Sequence, residues 1–157
     1  MNFKNTDKLK SFFIQFIAAL FIFLFGYTGL KKLQHPGIFQ SSLNKSPLIS
    51  NYAVLISWSV PVLELIVVCL LFFPKTRRLG LYSSLALMSV FTLYIAYMIA
   101  FAKDLPCSCG GVLEEMNWNQ HLIFNIVAWG LAIVGILLSR KNRKKKVQHE
   151  VYEVVFT

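Results

Sequence analysis

Four long runs of apolar residues, separated by short polar segments, dominate the chain. They cover residues 11–30, 52–73, 79–102 and 121–139. A helix needs about 20 mostly apolar residues to cross a bilayer, and each run is about that long. The pattern therefore predicts an all-α integral membrane protein, built as a four-helix bundle with short loops.

Polar segments at both ends flank this predicted membrane domain, which we place at residues 11–139. Residues 1–10 form an N-terminal segment, and residues 140–157 form a tail that begins with the basic stretch RKNRKKK. The last part of the tail, 147–157, alternates apolar and polar residues, which favours either a strand or disorder. The first apolar run lacks a convincing A-x-A-like cleavage site after it, so we expect it to remain as an uncleaved helix.

The composition indicates that the solvent of the chain is lipid rather than water. Hydrophobic residues make up 56% of the chain and charged residues only 15%, against about 25% charged residues in a typical soluble domain. The net charge of +9 comes largely from basic clusters beside apolar runs, where they attract anionic lipid headgroups. We therefore expect the lipid bilayer as a partner and no nucleic acid.

The distribution of Lys and Arg predicts the orientation, because cytoplasmic segments of membrane proteins are enriched in these residues. With four spans, residues 1–10, 74–78 and 140–157 lie on one side and hold twelve of the sixteen basic residues. The other side holds the remaining four: Lys31, Lys32, Lys45 and Lys103. We therefore expect both termini in the cytoplasm and the third loop on the periplasmic side of a bacterial inner (plasma) membrane.

Two of the three cysteines lie one residue apart in that third loop, within DLPCSCGGVLEEMNWNQH at 104–121. A disulfide between Cys107 and Cys109 would close a very small ring, and such a ring stabilises a fold little because the effect grows with loop length. A strained, exposed disulfide is instead suited to exchange with another thiol pair, and disulfides persist outside the cytoplasm. The pair therefore indicates redox chemistry. Residues that favour a tight loop flank it: Pro106, Gly110 and Gly111.

Two other interpretations of this loop remain open. Cys107, Cys109 and His121 could supply two thiolates and an imidazole to copper(I) or zinc, with a fourth ligand missing. The thiols could also be unpaired surface groups. His121 shares a face with Trp118 and Asn125 if the last helix begins that early; its imidazole could then activate a thiol or move its proton. Trp and His are equally ordinary residues at a helix end near the membrane surface.

Glu64 places a carboxyl group in the middle of the second apolar run. Ionisable residues at that depth are costly and normally face the bundle interior or mark a proton or ligand path. Pro61, three residues earlier, cannot donate a backbone hydrogen bond and predicts a kink. We expect Glu64 either to hydrogen-bond between helices or to act as a proton relay or quinone-side ligand. Candidate hydroxyl partners are Thr92, Tyr94 and Tyr97. Cys69, later in the same run, is expected to be a small packing residue.

Several stretches together resemble the MauE/DoxX family of small redox-associated membrane proteins, particularly its MauE-like branch, over roughly residues 10–138. The stretches are FGYTGLKKLQHPGIFQ (25–40), VPVLELIVVCLLFFPKTRRLG (60–80), FTLYIAYMIA (91–100), CSCGG (107–111) and WNQHLIFNIVAW (118–129). The resemblance implies a four-helix membrane bundle and an association with methylamine metabolism. In that family MauE is thought to assist disulfide formation in the small subunit of methylamine dehydrogenase.

Carried over by position, the resemblance directs attention to Pro61 and Glu64, to Cys107 and Cys109, and to the His121–Asn125 face. The layout is also similar to that of DsbB and vitamin K epoxide reductase, four-helix bundles that pass electrons from outward cysteines to quinone. This chain has no CxxC and a single outward cysteine pair, whereas those enzymes relay electrons through two pairs. The similarity therefore supports thiol exchange more directly than electron transfer to a quinone, which we keep as a candidate acceptor.

These observations predict a membrane thiol–disulfide redox protein that supports disulfide formation or maturation of a periplasmic client. The expected partner is a thiol-containing client or a thioredoxin-like protein, and we assign no metal ligands. The alternative is a non-catalytic assembly or metal-binding protein whose outer loop docks a partner. The catalytic candidates are Cys107, Cys109, Glu64 and His121, with Pro61, Pro106, Gly110, Gly111, Trp118 and Asn125 in supporting roles.

Overall fold

The computed structural model describes residues 3–44, 46, 49–101 and 118–156, with side chains described between residues 8 and 140 of these ranges except that of Trp118. The helices are α1 (Phe3–Gln34), α2 (Pro36–Asn44), a 3₁₀ turn (Ser50–Tyr52), α3 (Ala53–Phe72), α4 (Arg77–Phe101) and α5 (Trp118–Phe156). Four segments are long and apolar enough to cross a membrane: Lys8–Gln34, Ser50–Phe72, Arg77–Phe101 and Asn119–Arg140. The predicted all-α fold with four membrane spans is therefore confirmed.

Much of the segment predicted as a connection, residues 31–51, is helical in the structure. α1 continues through Lys31 and Lys32 to Gln34, and α2 begins two residues later at Pro36. The break falls at His35 because a residue before proline is disfavoured in the helical conformation, whereas proline suits the first position of the next helix. α2 packs mainly against α3 and adds a short fifth helix to the four spans.

Proline also ends the second span. Phe73, directly before Pro74, has the extended angles φ −82° and ψ 125°, which is the backbone that a residue before proline prefers. α4 starts three residues after Pro74. A tight turn therefore brings α3 and α4 into an antiparallel pair.

The tail does not form the strand considered from its alternating pattern. α5 continues through the basic stretch to Phe156, so the expectation of a strand or disorder at 147–156 is wrong. No Gly or Pro follows Gly135, and once a helix exists each further residue adds a hydrogen bond at little cost. Lys and Arg, which make up most of residues 140–146, are good helix formers and allow the last span to continue beyond its apolar part.

The core of the bundle lies where α1 packs on α3 and α4 packs on α5. Its fully buried side chains include Phe21 and Phe25 of α1, Leu71 of α3 and Leu81 of α4. The prediction that Cys69 packs inside this core is wrong, because its side chain is exposed. In a membrane span such a position faces lipid, where a thiol with weak hydrogen-bonding capacity is tolerated.

Candidate functional site

A single face of α1 supplies one wall of the site. The side chains of this face follow three- and four-residue steps, which keep them on one side of a helix, from the buried Phe21 and Phe25 to the partly buried Thr28 and Lys32. Gly29 on the same face lets α1 approach α3 closely: an added Cβ would lie 3.3 Å from Glu64 Oε2 and 3.4 Å from the Pro61 carbonyl oxygen. α1 therefore meets α3 at the turn that carries Pro61 and Glu64.

Lys32 and Glu64 form an ion pair inside the bundle. Lys32 Nζ donates a hydrogen bond of 2.5 Å to Glu64 Oε1, and the side chains are 10% and 1% exposed. Glu64 lies eleven residues after the first residue of α3 and eight before its last, about 16 Å and 12 Å along the axis. The pair therefore neutralises a carboxylate near the middle of a membrane-spanning helix, where a lone charge is costly.

Two aromatic rings complete the surroundings of the ammonium group. Lys32 Nζ lies 5.2 Å from the ring centroid of Phe39 and 5.1 Å from that of Phe91. Both distances are within the range in which a cation is attracted by the face of a ring. Residues of α1, α2, α3 and α4 thus converge on one charge, which explains how a lysine can lie within the bundle.

Next to this ion pair is a cavity of about 660 Å³. Its walls are largely apolar and come from all five helices and from Ile49 before the 3₁₀ turn. The volume lies within the range of about 300–1,000 Å³ that is common for small-molecule sites. The side chains with polar atoms that line it are Thr28, Lys32, Glu64, Tyr94, Tyr97, His121 and Asn125.

Two buried polar atoms, on residues that line the cavity, have no hydrogen-bond partner among the described residues. They are Glu64 Oε2 and Asn125 Nδ2, on side chains that are 1% and 3% exposed. Nearly all buried polar groups in proteins have partners, because an unsatisfied one costs about 1–3 kcal/mol. An unpaired acceptor on α3 and an unpaired donor on α5 therefore belong to residues that line the same cavity, although each atom has almost no accessible surface of its own.

Comparison with protein families places this bundle in a known group. The model of the family described as methylamine utilisation protein MauE matches residues 10–138, a range that includes the second and third spans and all but two residues of the first and of the fourth. The chain belongs to the MauE family. No curated protein and no solved structure gives a significant match.

Several of the residues that the MauE resemblance pointed to lie together in the structure. Glu64, His121 and Asn125 all line the cavity beside the ion pair, and Pro61 is buried one turn from Glu64. α5 begins at Trp118, so Trp118, His121 and Asn125 are all helical. Their spacing places the three positions on one face of α5, as predicted.

The remaining predicted site residues lie outside the described residues. They are Pro106, Cys107, Cys109, Gly110 and Gly111. The roles assigned to them, including the metal set with His121, therefore stay predictions. What the structure contributes is the position of the two helix ends that the cysteine segment joins, Phe101 and Trp118.

Glu64 has a partner that the sequence reasoning missed. Three hydroxyl groups on α4 were considered, but Lys32, counted with the outward loop, makes the ion pair. The Thr92 hydroxyl donates instead to the Met88 carbonyl oxygen at 2.6 Å, while Tyr94 and Tyr97 line the cavity beside Glu64. A signal for Lys32 existed, because a carboxylate in a membrane span calls for a cation on a neighbouring helix.

Proposed function

We propose that this MauE family member is a membrane thiol–disulfide redox protein of the methylamine-utilisation type, which supports disulfide formation or maturation of a periplasmic client through Cys107 and Cys109. The observation that carries the proposal is the largely apolar cavity whose few polar lining groups include residues of α4 and α5, the two helices that the cysteine segment joins. Tyr97 near the end of α4 and His121 near the start of α5 both line it. Proton-handling groups thus lie next to the ends of the segment that holds the thiols.

The number of residues between each cysteine and the nearest helix end limits how far the cysteines can lie from the helices that line this cavity. Six residues lead from Phe101 to Cys107, and nine lead from Cys109 to Trp118. A trans chain spans at most about 3.6 Å per residue. The Cα atom of Cys107 therefore lies within about 22 Å of that of Phe101, whatever the conformation between them.

The proposed exchange conserves electrons and protons. A thiolate of the client attacks one sulfur of the Cys107–Cys109 disulfide and releases the other as a thiolate. The second client thiolate then attacks the mixed disulfide, so that the client leaves oxidised and the chain holds two thiols. His121 or Glu64 would take up or supply the protons. A thioredoxin-like protein could occupy the place of the client in the same exchange.

Charge placement supports the proposed orientation, with both termini in the cytoplasm and the cysteine segment in the periplasm. Lys32 lies in the bundle, so it no longer counts among the outward basic residues. Three of these then remain against twelve on the proposed cytoplasmic side. A larger bias strengthens the expectation that the basic side is cytoplasmic.

Thiol trapping in cells tests the proposal. In a Cys69→Ser background, intact cells are treated with a membrane-impermeant, mass-tagging maleimide, with and without prior reduction. We expect tagging from outside only after reduction, and a disulfide that turns over with respiration. Cys107→Ser and Cys109→Ser should each abolish client oxidation, while Cys69→Ser should leave it unchanged.

Three outcomes would contradict the proposal or its orientation. Thiols that stay free under all conditions, or that only a chelator exposes, would favour the assembly or metal-binding protein. Client oxidation that persists when both cysteines are serine would exclude the exchange through this pair. Tagging only after the cells are permeabilised would reverse the orientation.

A further inference from the structure

We propose that the basic end of the bundle binds the phosphate group of an anionic phospholipid. The basic end consists of Lys75 in the turn between α3 and α4, Arg77 and Arg78 in the first turn of α4, and Arg140 at the end of the fourth span. It lies at the ends of α4 and α5 that are remote from the cysteine segment. The site therefore goes beyond the redox function and does not depend on it.

Hydrogen bonds to neighbouring helices hold two guanidinium groups of the basic end in place. Arg77 Nε donates to the Leu71 carbonyl oxygen of α3 at 3.3 Å. Arg78 donates to Ser139 of α5 twice, from Nε to the hydroxyl at 3.0 Å and from Nη2 to the carbonyl oxygen at 2.7 Å. A guanidinium group has five N–H donors, so each arginine has donors left for a ligand. Because the fold already orders both side chains, a ligand has less side-chain freedom to remove.

The described side chains provide no carboxylate for these cations. Glu64 is the one acidic residue among them, and it is paired with Lys32 inside the bundle. Arg78 contacts Ser139, the residue directly before Arg140, so the cations of α4 and α5 belong to one surface. Arginine and phosphate form strong, often bidentate hydrogen bonds. A phosphate group therefore complements both the charge and the free donors of the basic end.

The surroundings of the basic end favour a lipid over a soluble phosphate. The third span begins at Arg77, which places both guanidinium groups at the boundary of the membrane. Phe72 and Phe73 at the end of α3 are exposed, and so is Tyr82, which lies one turn deeper than Arg78 on the same face of α4. A phospholipid bound by its phosphate at this boundary lays its acyl chains along such side chains, whereas a soluble anion has no use for them.

The held arginines distinguish this site from the general attraction of the basic tail. The five basic residues of 141–146 attract any anionic surface according to their number of charges. A site built from fixed guanidinium groups depends instead on which cation is removed, because lysine lacks the planar fork that binds phosphate. Arg77 and Arg78 should therefore matter more than the exposed Lys75, although each carries one charge.

Native mass spectrometry of the purified full-length protein, released from detergent micelles, tests the site. The probes are phosphatidylglycerol and phosphatidylcholine with identical acyl chains, and each titration gives the affinity of the first bound lipid. We expect phosphatidylglycerol to bind about tenfold more tightly and glycerol 3-phosphate at the same concentration not to displace it. Arg77→Gln should weaken binding of phosphatidylglycerol about tenfold, or about 1.4 kcal/mol, which one hydrogen bond to a charged group can supply.

Matched variants separate the fixed geometry from the charge alone. Lys75→Gln removes the same charge at an exposed position and should weaken binding by about twofold or less. Arg78→Lys keeps the charge, removes the fork and should weaken binding as Arg77→Gln does; it also serves if Arg77→Gln fails to fold. The triple variant Lys144→Gln/Lys145→Gln/Lys146→Gln lowers the charge of the tail and should leave the first phosphatidylglycerol bound as before.

Four results would overturn the site. Equal affinity for phosphatidylcholine would show that the phosphate charge is not selected, and displacement by glycerol 3-phosphate would show a site for a soluble phosphate. Both are measured on the unchanged protein and so do not depend on the folding of a variant. Equal losses in Lys75→Gln and Arg77→Gln would reduce the effect to charge. A loss in the triple variant without one in Arg77→Gln would assign the lipid to the tail.

Discussion

The buried ion pair between Lys32 and Glu64 makes a prediction about stability. At 2.5 Å and an effective dielectric constant of about 20, the attraction between the two charges is about 7 kcal/mol. Removing each ion from water costs several kcal/mol, so the net contribution of the intact pair is close to zero. Removing one partner is different, because it leaves a charge on a side chain that is buried in the bundle.

Lys32→Met and Glu64→Gln should therefore each lower the free energy of unfolding by about 3–5 kcal/mol. The double variant should lose much less than the sum of the two, because it buries no charge. Met at position 32 can also pack against the rings of Phe39 and Phe91, which now face the ammonium group. The measurement is unfolding of the purified protein in mixed detergent micelles by titration with dodecyl sulfate.

Lys31→Met is the matched control, since Lys31 is the neighbouring residue on α1. Its ammonium group lies over the Tyr27 ring at 5.9 Å, and a contact of this kind contributes about 0.5–1 kcal/mol. A Lys32→Met variant no less stable than Lys31→Met would refute the importance of the pair. Additive losses in the double variant would refute the coupling between the two charges.

Two further predictions concern the packing of the spans, measured in the same assay. Gly80→Ala should lose about 1–3 kcal/mol, since the added Cβ would lie 2.9 Å from the backbone nitrogen and the side chain of Leu71. Gly130→Ala, with nothing within 4 Å, should be neutral or more stable. Arg78→Ala should lose about 1.5–3 kcal/mol, because Arg78 donates to the Ser139 hydroxyl at 3.0 Å and carbonyl at 2.7 Å. Ser139→Ala keeps the backbone carbonyl as an acceptor for Arg78 and should therefore lose clearly less stability than Arg78→Ala. Equal losses in the two variants would refute a contribution from the bond to the carbonyl.

The sequence predicted the four spans because hydropathy over about twenty residues is a property of the segment itself. Their ends were less well predicted. The predicted first span ends at residue 30, before Lys31, because a charged residue usually marks the membrane surface. In the structure α1 continues to Gln34. The helical tail was missed for a related reason: a pattern that alternates in sequence does not exclude a helix that propagates from a stable span.

The exposure of Cys69 could not be derived from composition. In a soluble protein a residue in an apolar segment is expected to be buried, but each span of a membrane bundle has apolar residues on both its inner and its outer face. α3 shows this directly, since Leu71 is fully buried while Phe72 is 66% exposed. Hydropathy therefore identifies the span and leaves undecided which face points to the other helices. Cys69 lies on the outer face.

The cavity could have been approached from sequence by treating Glu64 as a charge that needs a partner. Lys31 and Lys32 are candidate cations on another helix, directly after the first apolar run. Both continue the three- and four-residue spacing through Phe21, Phe25 and Thr28, Lys31 by a step of three and Lys32 by a step of four. In the structure it is Lys32 that makes the pair. If the helix is extended by one turn, the same apolar face that packs the bundle places its cation beside the carboxylate. The pair that results leaves no lone charge on Glu64 beside the largely apolar cavity.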